Sequence, residues 1–151
     1  MTAWNTRRDE ATDAVRRAVS SSDLSWSDLA GALDRPLLWT IAALLGSHAL
    51  PPELAARAGE LLGLDDETVA ALTQQPYRVQ GDDLRSDPTI YRFHELLAVY
   101  GPALKEAIHE EFGDGIMSAI DFSMDIQRTA DPKGDRVNVV LSGKFLPYKT
   151  Y

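Results

Sequence analysis

The sequence predicts an α+β fold in two parts: a bundle of five helices over residues 1–75, a linker at 76–87, and a smaller α+β domain over 88–151. Three observations lead there. The first half carries only helical periodicity, cut into short runs by Pro and Gly. After Gly115 the period of apolar residues falls from about 3.6 to 2, the spacing of a half-buried strand. The two strands then available are too few for an independent sheet, so this piece must pair with another chain or pack on helices.

Each helix has its own signals. Ala11, Ala14, Val15, Ala18 and Val19 recur on one face of a helix over 9–20. Ser25, with Asp28 three residues on, forms a variant capping box for a helix from Trp26 to about Leu33. The third helix runs from Pro36 to Leu45, ended by Gly46. Pro51 opens the fourth, which runs to Leu62 with Gly63 beyond it. Asp65-Asp66-Glu67 sets acids at the start of a fifth, ending near Thr73. Short helices with tight turns resemble the helix-turn-helix bundle of phage-repressor-like DNA-binding domains. The charges argue against that use: the third helix, Pro-Leu-Leu-Trp-Thr-Ile-Ala-Ala-Leu-Leu, has nothing to present to base edges or phosphates. A helix apolar all round is expected to be buried on most sides.

In the second part, Asp87-Pro88 gives an N-cap and a first-turn proline for a helix through Tyr100 to Gly101. Pro102 should open a separate helix to Phe112, with Gly113-Asp114-Gly115 as the break. Ile116, Ser118, Ile120, Phe122, Met124 and Ile126 alternate along one face of a strand. A turn at 130–135 leads to a second strand over Arg136–Leu141, and after Ser142-Gly143 the tail from Lys144 to Tyr151 is extended.

Composition narrows the function classes. The 151 residues carry 23 acidic and 15 basic side chains, a formal charge of −8 that disfavours nonspecific nucleic-acid binding. Without cysteine, the chain has no disulfide, thiol nucleophile or sulfur-ligated zinc. No run of about 18 apolar residues exists and the first ten residues are polar, so the expectation is a cytoplasmic protein without membrane contact. His48, His94 and His109 have no carboxylate at ligand spacing and read as solvated. Gly113-Asp114-Gly115 lacks the Lys-Ser/Thr of a phosphate loop. Trp4, Trp26 and Trp39 read as core or interface.

Two positions break their pattern. Arg92 falls inside the apolar arc that Phe93, Leu96, Leu97, Val99 and Tyr100 form on their helix, and Glu95 lies at its edge one turn away. Ser118 is the polar member of its strand's apolar face. The pattern alone also accommodates bland readings: a surface ion pair, and a small side chain bonded to the backbone.

The block Asp87-Pro-Thr-Ile-Tyr-Arg-Phe-His-Glu-Leu-Leu-Ala-Val-Tyr-Gly101, then Lys105 and Glu111-Phe-Gly-Asp-Gly-Ile-Met-Ser-Ala-Ile-Asp-Phe122, closely resembles the cyanases (cyanate hydratases, or cyanate lyases). The resemblance extends over nearly the whole chain, to Gly143-Lys-Phe-Leu-Pro147. It implies an N-terminal domain shaped like the DNA-binding bundles but not used for DNA, C-terminal strands paired between subunits, and a homodecamer built as five dimers with shared sites. It implies Arg92, Glu95 and Ser118 as the catalytic residues. The reaction it implies is the bicarbonate-dependent conversion of cyanate to carbamate and carbon dioxide, with bicarbonate as co-substrate and no cofactor or metal.

Overall fold

The computed structural model describes residues 6–76 and 85–149. Trp4, most of the expected linker and the last two residues of the tail lie outside them. The chain divides into two compact units, Met1–Arg78 and Val79–Tyr151.

The first unit holds α1 (Thr6–Ser21), α2 (Trp26–Leu33), α3 (Leu37–Leu44), α4 (Pro52–Leu62) and α5 (Asp66–Leu72). The starts of these helices follow local chemistry. Ser25 and Asp28 close a reciprocal capping box: the Asp28 amide donates to Ser25 Oγ at 3.1 Å, and the Ser25 amide donates to Asp28 Oδ2 at 2.8 Å. Asp65 Oδ1 accepts from the Thr68 amide at 2.7 Å and caps α5. Val15, Leu29, Leu33, Leu44, Leu50 and Leu72 are fully buried in one core shared by all five helices, with Trp26 and Trp39 packed partly against it. The Leu50 amide donates to the Leu72 carbonyl at 2.9 Å, tying the approach to α4 to the end of α5.

Two features of this unit depart from the pattern. The uniformly apolar α3 buries Thr40, Ala43 and Leu44, while Leu37, Leu38, Trp39, Ile41 and Ala42 are only half-covered. Arg8 of α1, a charge inside an apolar stripe, is 3% exposed and donates to the Ala43 carbonyl at the end of α3. The partial negative charge of a helix C-terminus suits a cation there. Its Nε and Nη1 have no hydrogen-bond partner among the described residues, and burial pulls the guanidinium below the usual arginine range, with Asp9 opposing that shift.

The second unit is α6 (Pro88–Phe112) followed by a hairpin of β1 (Gly115–Thr129) and β2 (Arg136–Pro147). The helix break expected at Pro102 does not occur: α6 is one helix of 25 residues with Pro102 inside it. Proline deprives the Ala98 carbonyl of its helical partner, but the clash that pushes a pre-proline residue out of the helical region involves that residue's Cβ, and Gly101 has none. Asp87 caps α6 as expected, its Oδ1 accepting from the Thr89 and Ile90 amides, both at 2.9 Å. The second strand does not stop at Leu141 either. It continues through Ser142-Gly143 to Pro147, because the first strand is long enough to pair with all of it.

The strand's alternation is also broken. Met117 pairs with Phe145 and Phe122 with Gly143, so residues 118–121 face only Lys144 across the hairpin. Three extra residues, an odd number, move the rest of β1 to the other face. Ile116 therefore shares a face with Leu146, whereas Met117, Phe122, Met124 and Ile126 share theirs with Phe145, Gly143, Leu141 and Val139. The single continuous face from Ile116 to Ile126 does not exist. Ile120, expected on it, is 97% exposed.

Three stability predictions follow from these contacts. Ser25→Ala should cost about 1 kcal/mol in urea unfolding, since the first-turn amide of α2 loses its acceptor. Gly59→Ala should destabilise despite its helical site: a Cβ there would overlap Val69 Cγ2. The gain of about 1 kcal/mol in helix propensity is then outweighed by about 1–3 kcal/mol of overpacking, and a raised Tm would contradict this. Hydrogen bonds from Ser25 hold the Asp28 carboxyl below its usual range, and those from Thr68 do the same for Asp65. Both groups favour the folded state above the unfolded carboxylate pKa of about 4 and lose that contribution as pH falls through their lower folded values. Tm measured from pH 6 downward should therefore drop below about pH 4, and less so in Asp65→Asn.

Candidate active site

Arg92 and Glu95 lie on one face of α6, three residues apart, and the structure joins them: Arg92 Nη1 donates to Glu95 Oε2 at 2.6 Å. The Arg92 guanidinium carbon is 5.9 Å from the centre of the Tyr91 ring. In the single chain this pair is open to solvent, with side chains 68% and 50% exposed. Its surroundings are unusual for a surface ion pair. Ile90, Tyr91, Phe93, Leu96, Leu97, Val99 and Tyr100 are all exposed beside it, and α6 has no buried residue along its length. A carboxylate and a guanidinium set among uncovered apolar side chains lose most of their water once that surface is covered.

Ser118 is different. It is 6% exposed, and its Oγ accepts from the Ile120 amide at 3.1 Å and the Asp121 amide at 3.0 Å. The hydroxyl's position was legible as a polar exception, but the cause is the irregular stretch 118–121 and not a place on a regular apolar face. Among the described residues no hydrogen bond or ion pair links Ser118 to Arg92 or Glu95. Twenty residues of helix, roughly 30 Å of rise, separate Arg92 from the end of α6, where the polypeptide turns into β1. One chain thus assembles two of the three expected residues and holds the third elsewhere.

His109 was expected in solvent and is not. Its ring lies between the end of α6 and the start of β1, with Nε2 3.1 Å from the Gly115 carbonyl and Nδ1 3.3 Å from Asp114 Oδ1. Tyr148 meets it edge-on at 6.3 Å. What spacing within α6 could not reveal is that the next element folds back onto His109. His48 packs against Trp39 at 4.9 Å, and no group of three or more His, Asp or Glu among the described residues could hold a metal ion. Gly143 was read as a break between strand and tail. A glycine inside a strand pattern is itself the signal of a bulge or a close backbone approach, and here it lies opposite the irregular stretch.

Comparison with known proteins decides among the uses of such an arrangement. The family model described as the cyanate lyase C-terminal domain matches residues 82–150, and the cyanate hydratase N-terminal model matches residues 8–76. The chain is 56% identical over 142 residues to the cyanate hydratase of Mycolicibacterium vanbaalenii, covering 93% of each sequence. The chain belongs to the cyanate lyase family. A cyanate hydratase of Variovorax paradoxus is 52% identical over 145 residues, 95% of this chain and 99% of that one. The crystal structure of cyanase from T. urticae superposes with a TM-score of 0.80 at 39% identity, covering 91% of this chain and 96% of that one. The resemblance seen in the sequence is therefore borne out, and the mixed fold is that of a cyanase. As in the sequence reading, α3 of this cyanate lyase family member has no charged side chain.

The junction around His109 yields a prediction. His109→Ala leaves the buried Gly115 without its side-chain contact and should cost about 1–3 kcal/mol in urea unfolding. Asp114 is largely exposed, so Asp114→Ala should cost under about 1 kcal/mol. Equal effects would mean that the Asp114 contact, not the carbonyl contact, holds the junction.

Proposed function

We propose that this chain catalyses the bicarbonate-dependent breakdown of cyanate at a site made of Arg92, Glu95 and Ser118, completed by association of several copies. Breakdown of cyanate follows from membership of the family. The observation that supports the site is the Arg92–Glu95 pair standing in the middle of an uncovered apolar helix face, with Ser118 held apart in the same chain. A second copy laid over that face would enclose the guanidinium and bring another Ser118 toward it. A homodecamer of five dimers, with strands paired between subunits, is the assembly we propose. The setting we propose is the cytoplasm; no helix among the described residues is long and apolar enough to cross a membrane.

The chemistry sets the demands on the residues. Bicarbonate attacks the cyanate carbon through one oxygen, forming a C–O bond and placing charge on nitrogen, which takes up a proton. The bond between that oxygen and the bicarbonate carbon then breaks as the bicarbonate's own proton passes to the nitrogen, releasing carbon dioxide and leaving carbamate. Cyanate, bicarbonate and one proton give carbamate and carbon dioxide, and carbamate with a second proton gives ammonia and carbon dioxide. Both reactants are anions. At 4 Å and an effective dielectric of ~20 they repel by about 4 kcal/mol before any bond forms. A guanidinium walled in by apolar side chains offsets this, and its planar fork suits a carboxylate-like anion. Arg92 binds the substrate anions and stabilises the doubly charged intermediate. Glu95 orients Arg92 and is placed to pass a proton, and the Ser118 hydroxyl donates to a substrate oxygen. No cofactor enters, because bicarbonate is itself the nucleophile and the site acts by juxtaposition.

Ammonia release from cyanate, with and without bicarbonate, tests the reaction; release independent of bicarbonate would exclude this mechanism. Arg92→Leu should lower turnover by at least about 10²-fold while the oligomer persists, the loss expected when a stabilising cation is removed. Near-normal turnover would remove Arg92 from the site. Light scattering that found a stable monomer of 16.6 kDa would sink the shared site.

A further inference from the structure

The Ser118 hydroxyl is committed in one direction. A serine oxygen offers two acceptor lone pairs and one donor hydrogen. Both lone pairs are occupied, by the Ile120 and Asp121 amides, while among the described residues nothing accepts from the Ser118 O–H. The two incoming N–H groups polarise the hydroxyl and make it a stronger donor. An oxygen so engaged cannot accept a proton from a substrate and cannot act as a base or nucleophile without breaking its own turn. It can only present its hydrogen to an acceptor.

What holds the turn in place lies across the hairpin. Residues 118–121 of β1 bulge opposite Lys144, and the next paired residue of β2 is Gly143. A Cβ added at Gly143 would overlap the Ser118 carbonyl oxygen and stand 2.5 Å from Met117 Cγ. Met117 has a flexible side chain and can yield. The Ser118 carbonyl belongs to the backbone and cannot move without carrying its own side chain with it. An open groove here is lined by Phe122, Ser123 and Ser142 with Asp121, Gly143 and Lys144, so the stretch faces solvent on one side and β2 on the other.

We infer that Gly143 is a positioning residue for Ser118, and that the bulge it permits makes the Ser118 hydroxyl an obligate donor that selects the deprotonated acceptor end of an anionic substrate. The inference rests on the role proposed for Ser118 above. It predicts that a methyl group at residue 143 shifts the hydroxyl by a fraction of an ångström to an ångström, and misplacement on that scale can cost about 10²-fold in rate.

The test is a double-mutant cycle on the assembled enzyme, with kcat and KM for cyanate measured at saturating bicarbonate. Gly143→Ala should lower kcat by about 10²-fold with the oligomer intact, and Ser118→Ala should lower it comparably. The double variant should be no worse than Ser118→Ala alone, because the two changes remove the same interaction. Independent, multiplying losses would show that Gly143 acts on the fold and not through Ser118, and Gly143→Ala with turnover near wild type would overturn the inference outright. Should Gly143→Ala fail to assemble, amide hydrogen exchange on the wild type and Ser118→Ala decides: the Ile120 and Asp121 amides should exchange faster in the variant, and equal rates would overturn the bulge's role. The two readings fail separately. Ser118→Ala with full activity removes Ser118 from the site and this inference with it, whereas an inactive Ser118→Ala beside an active Gly143→Ala removes the inference alone.

Discussion

The second unit depends on burial that it cannot supply by itself. A helix of 25 residues without one buried side chain, followed by a two-stranded hairpin, leaves Leu97, Val99, Tyr100, Phe112, Val137 and Leu141 largely in water. Apolar surface of that extent favours association, and two strands do not make a stable sheet alone. The electrostatic demand of the chemistry points the same way. An acidic chain with a net charge of −8 cannot gather anions through its overall field, so the attraction has to be local. A guanidinium in water is screened; the same group behind apolar walls is screened far less. Covering the helix face would therefore settle the shape of the unit and the strength of its cation together.

The first unit solves a separate problem with ordinary means. Its core closes around leucines from every helix, and its helix starts are set within a few residues by Ser25, Asp28 and Asp65. The exception is Arg8, which ties α1 to the end of α3 through the Ala43 carbonyl while, among the described residues, its Nε and Nη1 have no partner. A buried cation whose hydrogen-bonding groups are not all matched is a costly fastener. In this five-helix bundle it serves the interior, and the third helix offers only apolar side chains and one threonine.

The legible part of this fold was whatever is decided within one turn of chain. Capping residues, the Asp87-Pro88 start and the helical stripe of α1 depend on neighbours a few positions away, and they were read correctly. Arg92 and Glu95 were legible for the same reason: spacing of three on a helix makes them neighbours whatever else happens. The misreadings all involve a partner distant in sequence or a residue that relaxes a rule. Pro102 did not end its helix because Gly101 lacks the atom that would clash. The second strand was cut short at Ser142-Gly143 because its partner's length could not be known. Ser118 was singled out correctly as a polar exception, but its surroundings come from a register shift that only the opposite strand defines.

That register shift sets limits on how the gene can change. Loops ordinarily absorb insertions and deletions of any length, and the turn at 130–135 lies outside the paired stretch, where such changes leave the strand faces alone. The stretch 118–121 is paired to a fixed count on both sides. Removing one residue from it would turn Met117 and Ile116 over with respect to Phe122 and everything after it, exchanging inside for outside along the hairpin in a single mutational step. Lineages of this enzyme should tolerate substitution here far more readily than any change in length.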